Sequence, residues 1–291
     1  MIRLVLLLVL VSLVAGCSGG PSPARRTGPA DSAPSAATAA GSAVRSYVAL
    51  GDSYTSAPYV YLTDVARGCL RSDHDYPALV AKALRVRRFA DVSCAGATTW
   101  DVTHRQPTLP ERDLSVPPQL RAVRPGTDLV TVGLGGNDFG IFDRLAACAS
   151  SCLPGSVSTQ VRGSIAALRP RLVATLRLVQ RRAPGATVLL VGYPKIGPDR
   201  GGCPGLPGVT PATLALLNRL NRGLDLVMRQ AARAARVGFV DVYRASRGHD
   251  VCAPDPWVNG VHTDTSRALA LHPFAVEQRA VARLVVGQVS R

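Results

Sequence analysis

Ser46-Tyr47-Val48-Ala49-Leu50-Gly51-Asp52-Ser53-Tyr54 is the stretch on which the fold turns. Residues 47–50 form an unbroken apolar run closed by a glycine, as expected of a strand buried on both faces in a parallel sheet. A glycine, an acid and a hydroxyl then follow in succession. A serine at such a strand end can stand exposed at the sheet edge while the next residues turn into a helix whose first amides favour developing negative charge. Taken alone, the tripeptide reads equally well as Asp or Ser capping that helix.

Four further runs match the first in length and composition: 89–93, 128–133, 187–191 and 238–242. Helix-period segments lie between them at 77–84, 118–123, about 158–182 and 211–236. A last helix begins near Pro273, where proline suits the first turn, and carries Val276, Ala280, Leu284 and Val285 on one face. This alternation predicts an α/β fold with a five-stranded parallel sheet covered on both faces, a three-layer α/β/α sandwich. Ligands bind such sheets at the carboxyl ends of the strands.

The N-terminus indicates the compartment. Arg3 precedes an apolar run over 4–14, the length of a signal-peptide core and too short for an ordinary membrane-spanning helix. It ends in Leu13-Val14-Ala15-Gly16-Cys17, which resembles the bacterial lipobox, so the expected leader is 1–16 with Cys17 lipidated as the first mature residue. The alternative is an ordinary leader with an incidental cysteine. Residues 17–45 are rich in Ser, Gly, Pro, Ala and Thr and read as a flexible tether. The folded domain is expected over 46–291, outside the cell, tethered at the outer face of the bacterial membrane or secreted. Removing Cys17 from the seven cysteines leaves Cys69, Cys94, Cys148, Cys152, Cys203 and Cys252, for which disulfides are the default in an oxidising compartment. Six cysteines allow fifteen pairings, among which sequence does not choose. No CxxC pair or histidine at ligand spacing supports a metal site.

The formal charge is +15, and all but Lys82 and Lys195 of the 34 basic residues are arginines. They are scattered, without base-reading aromatics or zinc-finger spacing, so nucleic-acid binding is not indicated. Attraction to an anionic envelope surface fits better.

Chemistry is sought at the strand ends. After the second strand comes Cys94-Ala95-Gly96-Ala97-Thr98-Thr99, and after the third Gly133-Leu134-Gly135-Gly136-Asn137-Asp138. Glycine lets a backbone N–H approach a ligand closely and asparagine offers an amide donor, so Gly96, Asn137 and the N–H of Ser53 can form an oxyanion hole. Each turn alone reads equally as an ordinary strand exit. His272-Pro273 precedes the terminal helix and can supply a general base. His74, His104, His249 and His262 compete, His262 most seriously.

Together, Gly51-Asp52-Ser53-Tyr54, Ala95-Gly96-Ala97-Thr98-Thr99, Gly135-Gly136-Asn137-Asp138 and His272-Pro273 resemble, in order and strand context, the four blocks of the SGNH (GDSL) hydrolases. The chain looks most like their actinobacterial secreted esterase and lipase branch. The resemblance implies a flavodoxin-like sandwich and a cofactor-free carboxylic ester hydrolase, with Ser53 as nucleophile and His272 as base. It also implies Ser53, Gly96 and Asn137 as oxyanion donors and three sequential disulfides, Cys69–Cys94, Cys148–Cys152 and Cys203–Cys252. Asp52 is then structural, since it is too close to Ser53 to orient the histidine. The aspartate that many members carry three residues before the histidine is replaced by Leu269. In this branch a backbone carbonyl can serve instead, so the orienting role is assigned to the Leu269 main chain, with Asp255 or Asp264 as side-chain alternatives. Phe274, Glu277 and Gln278 stand where the family commonly has a polar, glycine-containing sequence. The apolar loops near Leu109, Leu114, Ile141 and Phe142 are candidates for an acyl pocket, or plain core. Expected partners are an ester or lipid substrate and, through the lipid anchor, the bacterial membrane, with the chain a monomer. The rival function is a non-catalytic envelope lipoprotein that uses the fold to bind lipid or glycan.

Overall fold

Five parallel strands carry the molecule: β1 (Ser46–Gly51), β2 (Arg88–Asp91), β3 (Leu129–Gly133), β4 (Thr187–Val191) and β5 (Gly238–Val240). They pair in the order β2-β1-β3-β4-β5. This is a doubly wound sheet in which the chain leaves β1 toward one edge and later returns to its other side, opening a crevice at the carboxyl ends. The computed structural model describes residues 44–108, 114–150 and 154–291. The expected leader, Cys17, the tether up to residue 43, the Cys148–Cys152 pairing and Leu109 lie outside the described residues.

Side-chain alternation along the strands builds two cores. Val48, Leu50, Val130, Val132, Val188 and Leu190 face one side, where α4 (Pro154–Arg182) and α5 (Pro211–Ala235) cover them. Leu168, Leu172 and Leu176 are fully buried and recur every four residues along α4, so they form one stripe. Each such leucine stabilises the fold by about 1.5–3 kcal/mol. Tyr47, Ala49, Leu129, Leu189 and Val191 face the other side, beneath α2 (Tyr76–Ala83) and α7 (Ala275–Val289).

Register is pinned at both ends of the central pair. At the amino end, Asp128 Oδ2 accepts the N–H groups of Arg45 and Ser46 at 2.9 and 2.8 Å. At the carboxyl end, Gln119 grips Gly51 in both directions, accepting its N–H and donating to its carbonyl, each at 2.9 Å. The short helix α1 (Ser53–Ser56) lies directly on this end. A Cβ on Gly51 would meet Thr55 Oγ1 at 2.1 Å, so only glycine admits the helix there.

The five strands match the sequence reading except at their margins. The second ends at Asp91, whose carboxylate accepts the N–H of Ser93 and turns the chain out of the sheet. The fifth ends at Val240, because Asp241 caps α6 (Val242–Ala245). The segment 118–123 contains a single 3-10 turn, Gln119–Ala122, rather than a regular helix. An unexpected helix, α3 (Ile141–Ser150), precedes α4. Disulfides Cys69–Cys94 and Cys203–Cys252 are formed, with S–S distances of 2.08 Å. Among the described residues no helix is long and apolar enough to cross a membrane.

Candidate active site

Ser53 opens α1 where β1 ends. Asp52 caps the helix, its Oδ1 accepting the N–H of Tyr54 at 2.9 Å, and Ala57 closes it in the left-handed conformation. Asp52 is thus a structural cap, buried to 0% exposure. Burial raises its carboxyl to about 7, against the hydrogen bonds from Tyr193 and Tyr54 that favour the anion.

The imidazole of His272 reaches Ser53 from 219 residues away, with Nε2 at 2.7 Å from Oγ. Its Nδ1 lies 2.7 Å from the carbonyl oxygen of Ala270. A carbonyl only accepts, so Nδ1 carries the proton and Nε2 presents its lone pair to the serine hydroxyl. The ring stacks on Tyr54, centroids 4.8 Å apart, while the Tyr54 hydroxyl donates to the Leu271 carbonyl at 2.6 Å. Burial in this setting disfavours the imidazolium and lowers His272 to about 4, opposed by the Ala270 carbonyl.

The carbonyl that meets the ring is that of Ala270, not the expected one of Leu269. The Leu269 carbonyl closes a turn by accepting the backbone N–H of His272 at 3.2 Å, and it also accepts Asn259 Nδ2 at 3.0 Å. It therefore points away from the ring, and Leu271, at φ 58°, brings the Ala270 carbonyl to Nδ1 instead. Neither aspartate alternative reaches the histidine. Asp264 holds Ser266 through its backbone N–H and hydroxyl, and Asp255 sits beside His249. His262 is exposed on its loop.

Two loops complete the edge. Gly96 has φ +79°, a conformation that disfavours any side chain. Among the described residues, neither its N–H nor that of Ser53 meets a protein acceptor. Asn137 Nδ2 donates to the Ala97 carbonyl at 2.9 Å, leaving its second hydrogen for a ligand. Asp138 joins these two loops by accepting the N–H and hydroxyl of Thr99 at 3.0 and 2.5 Å.

Ser53, Asn137 and His272 line one cavity of about 430 Å³, a size suited to a small organic ligand. Its other walls are mainly apolar, with Phe142, Ala146, Ile196, Leu217, Val261 and Leu271. Of the acyl-pocket candidates, Phe142 lines the cavity, whereas Ile141 is buried in the core and Leu114 lies outside the cavity. Among the described residues no cluster of three or more His, Cys, Asp or Glu side chains gathers as metal ligands would.

Several residues that organise the site carry no motif. Asn259 donates its backbone N–H to the His272 carbonyl at 2.9 Å and its side-chain amide to the carbonyls of Ala268 and Leu269. Tyr193 sits beneath Tyr54 with ring centroids 5.1 Å apart. Glu277 and Gln278 are buried supports: Gln278 Nε2 donates to the Tyr54 carbonyl and to Glu277, and its Oε1 accepts the Tyr76 N–H. Burial pushes the Glu277 carboxyl up to about 8.

Comparison with known proteins places the chain in one family. The model of the GDSL-like Lipase/Acylhydrolase family matches residues 49–275. Lipase 2 of Streptomyces coelicolor is 34% identical over 269 residues, covering 87% of this chain and 88% of that protein. The crystal structure of phospholipase A1 from Streptomyces albidoflavus is 30% identical with a TM-score of 0.71, covering 86% of this chain and 100% of that one. That of the extracellular lipase of Streptomyces rimosus is also 30% identical, with a TM-score of 0.70 and coverage of 84% and 99%. The chain belongs to the GDSL-like lipase/acylhydrolase family of carboxylic ester hydrolases.

Proposed function

We propose that this ester hydrolase is an exported serine esterase or lipase that acts through an acyl-serine. Ser53 Oγ attacks the ester carbonyl carbon as its proton passes to His272 Nε2. The tetrahedral oxyanion is held by the N–H groups of Ser53 and Gly96 and by Asn137 Nδ2. The C–O bond to the alcohol then breaks, and the imidazolium returns its proton to the departing oxygen. Water repeats the sequence on the acyl-serine, releasing the acid and restoring Ser53. The Ala270 carbonyl orients the ring in place of a carboxylate, and such a partner stabilises the imidazolium less. The observation that carries this reading is the 2.7 Å contact from His272 Nε2 to Ser53 Oγ, with Nδ1 held by a carbonyl.

The apolar cavity beside Ser53 supports an acyl chain as the bound group. The leader at 1–16 and a relative described as an extracellular lipase support export. We extend this to lipidation of Cys17, which would hold the domain at the outer membrane face through acyl-chain burial. Turnover of p-nitrophenyl esters by the purified domain over 44–291, abolished in Ser53→Ala, is the expected result; a folded native domain that turns over no ester overturns the reading. Mass spectrometry of the membrane fraction should find a lipidated Cys17, and an unmodified soluble N-terminus removes the anchor.

A further inference from the structure

Tyr193 follows β4, and its hydroxyl takes part in two buried hydrogen bonds. It donates to Asp52 Oδ2 at 2.6 Å and accepts the Gly136 N–H at 2.9 Å. Each bond ends next to a group with a proposed role at the oxyanion. Asp52 precedes Ser53 and fixes the first turn of α1 through Tyr54, so it sets the direction of the Ser53 N–H. Gly136 precedes Asn137.

The ring is held as firmly as the hydroxyl. It meets Tyr54 and Phe142 edge to face, centroids 5.1 and 4.8 Å apart. Phe142 in turn packs so closely on Gly136 that a Cβ there would lie 1.9 Å from the ring. The loop bearing Asn137 is thus clamped by Phe142 on one side and tied by the Tyr193 hydroxyl on the other. Without the hydroxyl, the Gly136 N–H and Asp52 Oδ2 would both lose a partner inside the protein, and the loop before Asn137 would be tied only by the Phe142 N–H to the Gly136 carbonyl at 2.9 Å.

We infer that Tyr193 is a positioning residue that spaces the oxyanion donors of Ser53 and Asn137 by bridging Asp52 to the Gly136 amide. The inference rests on the reading of Ser53, Gly96 and Asn137 given above. Its effect belongs to the transition state, because a ground-state carbonyl needs these donors far less than the developing oxyanion does.

Tyr193→Phe keeps the ring packing and removes both bonds. Loss of one oxyanion donor costs roughly 100–1,000-fold in kcat, so its misplacement should cost roughly 10–100-fold with KM little changed. In an Asn137→Ala background, where one of the two donors being positioned is gone, the same change should cost at least about threefold less than in the native protein. Asp52→Asn offers Tyr193 an N–H in place of an acceptor, turns the hydroxyl proton toward the Gly136 N–H, and should lower kcat in the same pattern. Wild-type kcat in both Tyr193→Phe and Asp52→Asn overturns the inference, as does an equal factor lost with and without Asn137, since a purely structural role would multiply through both backgrounds. A native domain active on esters with both variants neutral discards this inference alone; a folded native domain inactive on every ester discards the reading of the site and this inference with it.

Discussion

Acidification tests the environment of His272. The base works only as the neutral imidazole, and in water half of such rings are protonated near pH 6.5. Burial beside Tyr54 and Leu271 disfavours the charged ring and moves that midpoint down to about 4. A lowered midpoint means the neutral form persists to lower pH, so the acid limb of kcat/KM should fall through about 4. At pH 5.5 an imidazole with a midpoint near 4 is roughly 97% neutral, against roughly 9% for one at 6.5, a tenfold difference in competent enzyme. The assay is kcat/KM, which reports the free enzyme, from pH 3.5 to 7 on an uncharged ester. Released acid is quantified by chromatography and folding is checked at each pH by circular dichroism. A folded enzyme whose acid limb has its midpoint between 6 and 7 would refute the reasoning, for it would mean either a solvated His272 or another base.

The buried Glu277 gives a stability test. Its carboxyl rises from 4.5 to about 8 in the fold, so stability is full below about 4.5 and declines as pH climbs to about 8. At 1.36 kcal/mol per pH interval the cumulative loss is about 5 kcal/mol, and Glu277→Gln should escape it. Urea melts of the two proteins should diverge steadily from pH 4.5 to 8; a gap that stays constant refutes the buried-acid account. Ala146 lines the cavity from α3, and Ala146→Trp should shorten the acyl chain that fits. The ratio of decanoate to acetate ester turnover should fall at least about tenfold, and an unchanged ratio would place the chain elsewhere.

The parts of the site that were legible share one physical property. Gly51 and Ser53 stand at the end of the buried β1 and just past it, and Gly96 and Asn137 lie a few residues beyond β2 and β3, where a change from apolar to small or polar residues marks both the turn and the chemistry. His272 was legible because a proline follows it just ahead of the last helix, which begins at Ala275 rather than in the proline's own turn. Groups that act through the backbone left no such mark. Any residue can supply the Ala270 carbonyl, and its choice over that of Leu269 depends on the left-handed Leu271 and on Asn259. Tyr193 reads in sequence as one more aromatic after a strand, because its partners lie 141 and 57 residues away. Ile141 and Phe142 read as loop because α3 follows a glycine-rich turn. Glu277 and Gln278 read as departures from the family pattern, yet burial in the first turn of α7 makes Gln278 a tie to Tyr54 and Tyr76, with Glu277 accepting from its side-chain amide. Patterning thus located the strand ends, while three-dimensional closure decided which carbonyls and hydroxyls serve them.

In the proposed mechanism the His272 imidazole makes the Ser53 hydroxyl nucleophilic. Incubating the native domain with a fluorophosphonate and mapping the modified peptide by mass spectrometry tests it directly. A single adduct is expected, on Ser53, forming at least about 100-fold more slowly in His272→Ala. An adduct on another residue, no adduct on the folded protein, or undiminished labelling without the imidazole would contradict it.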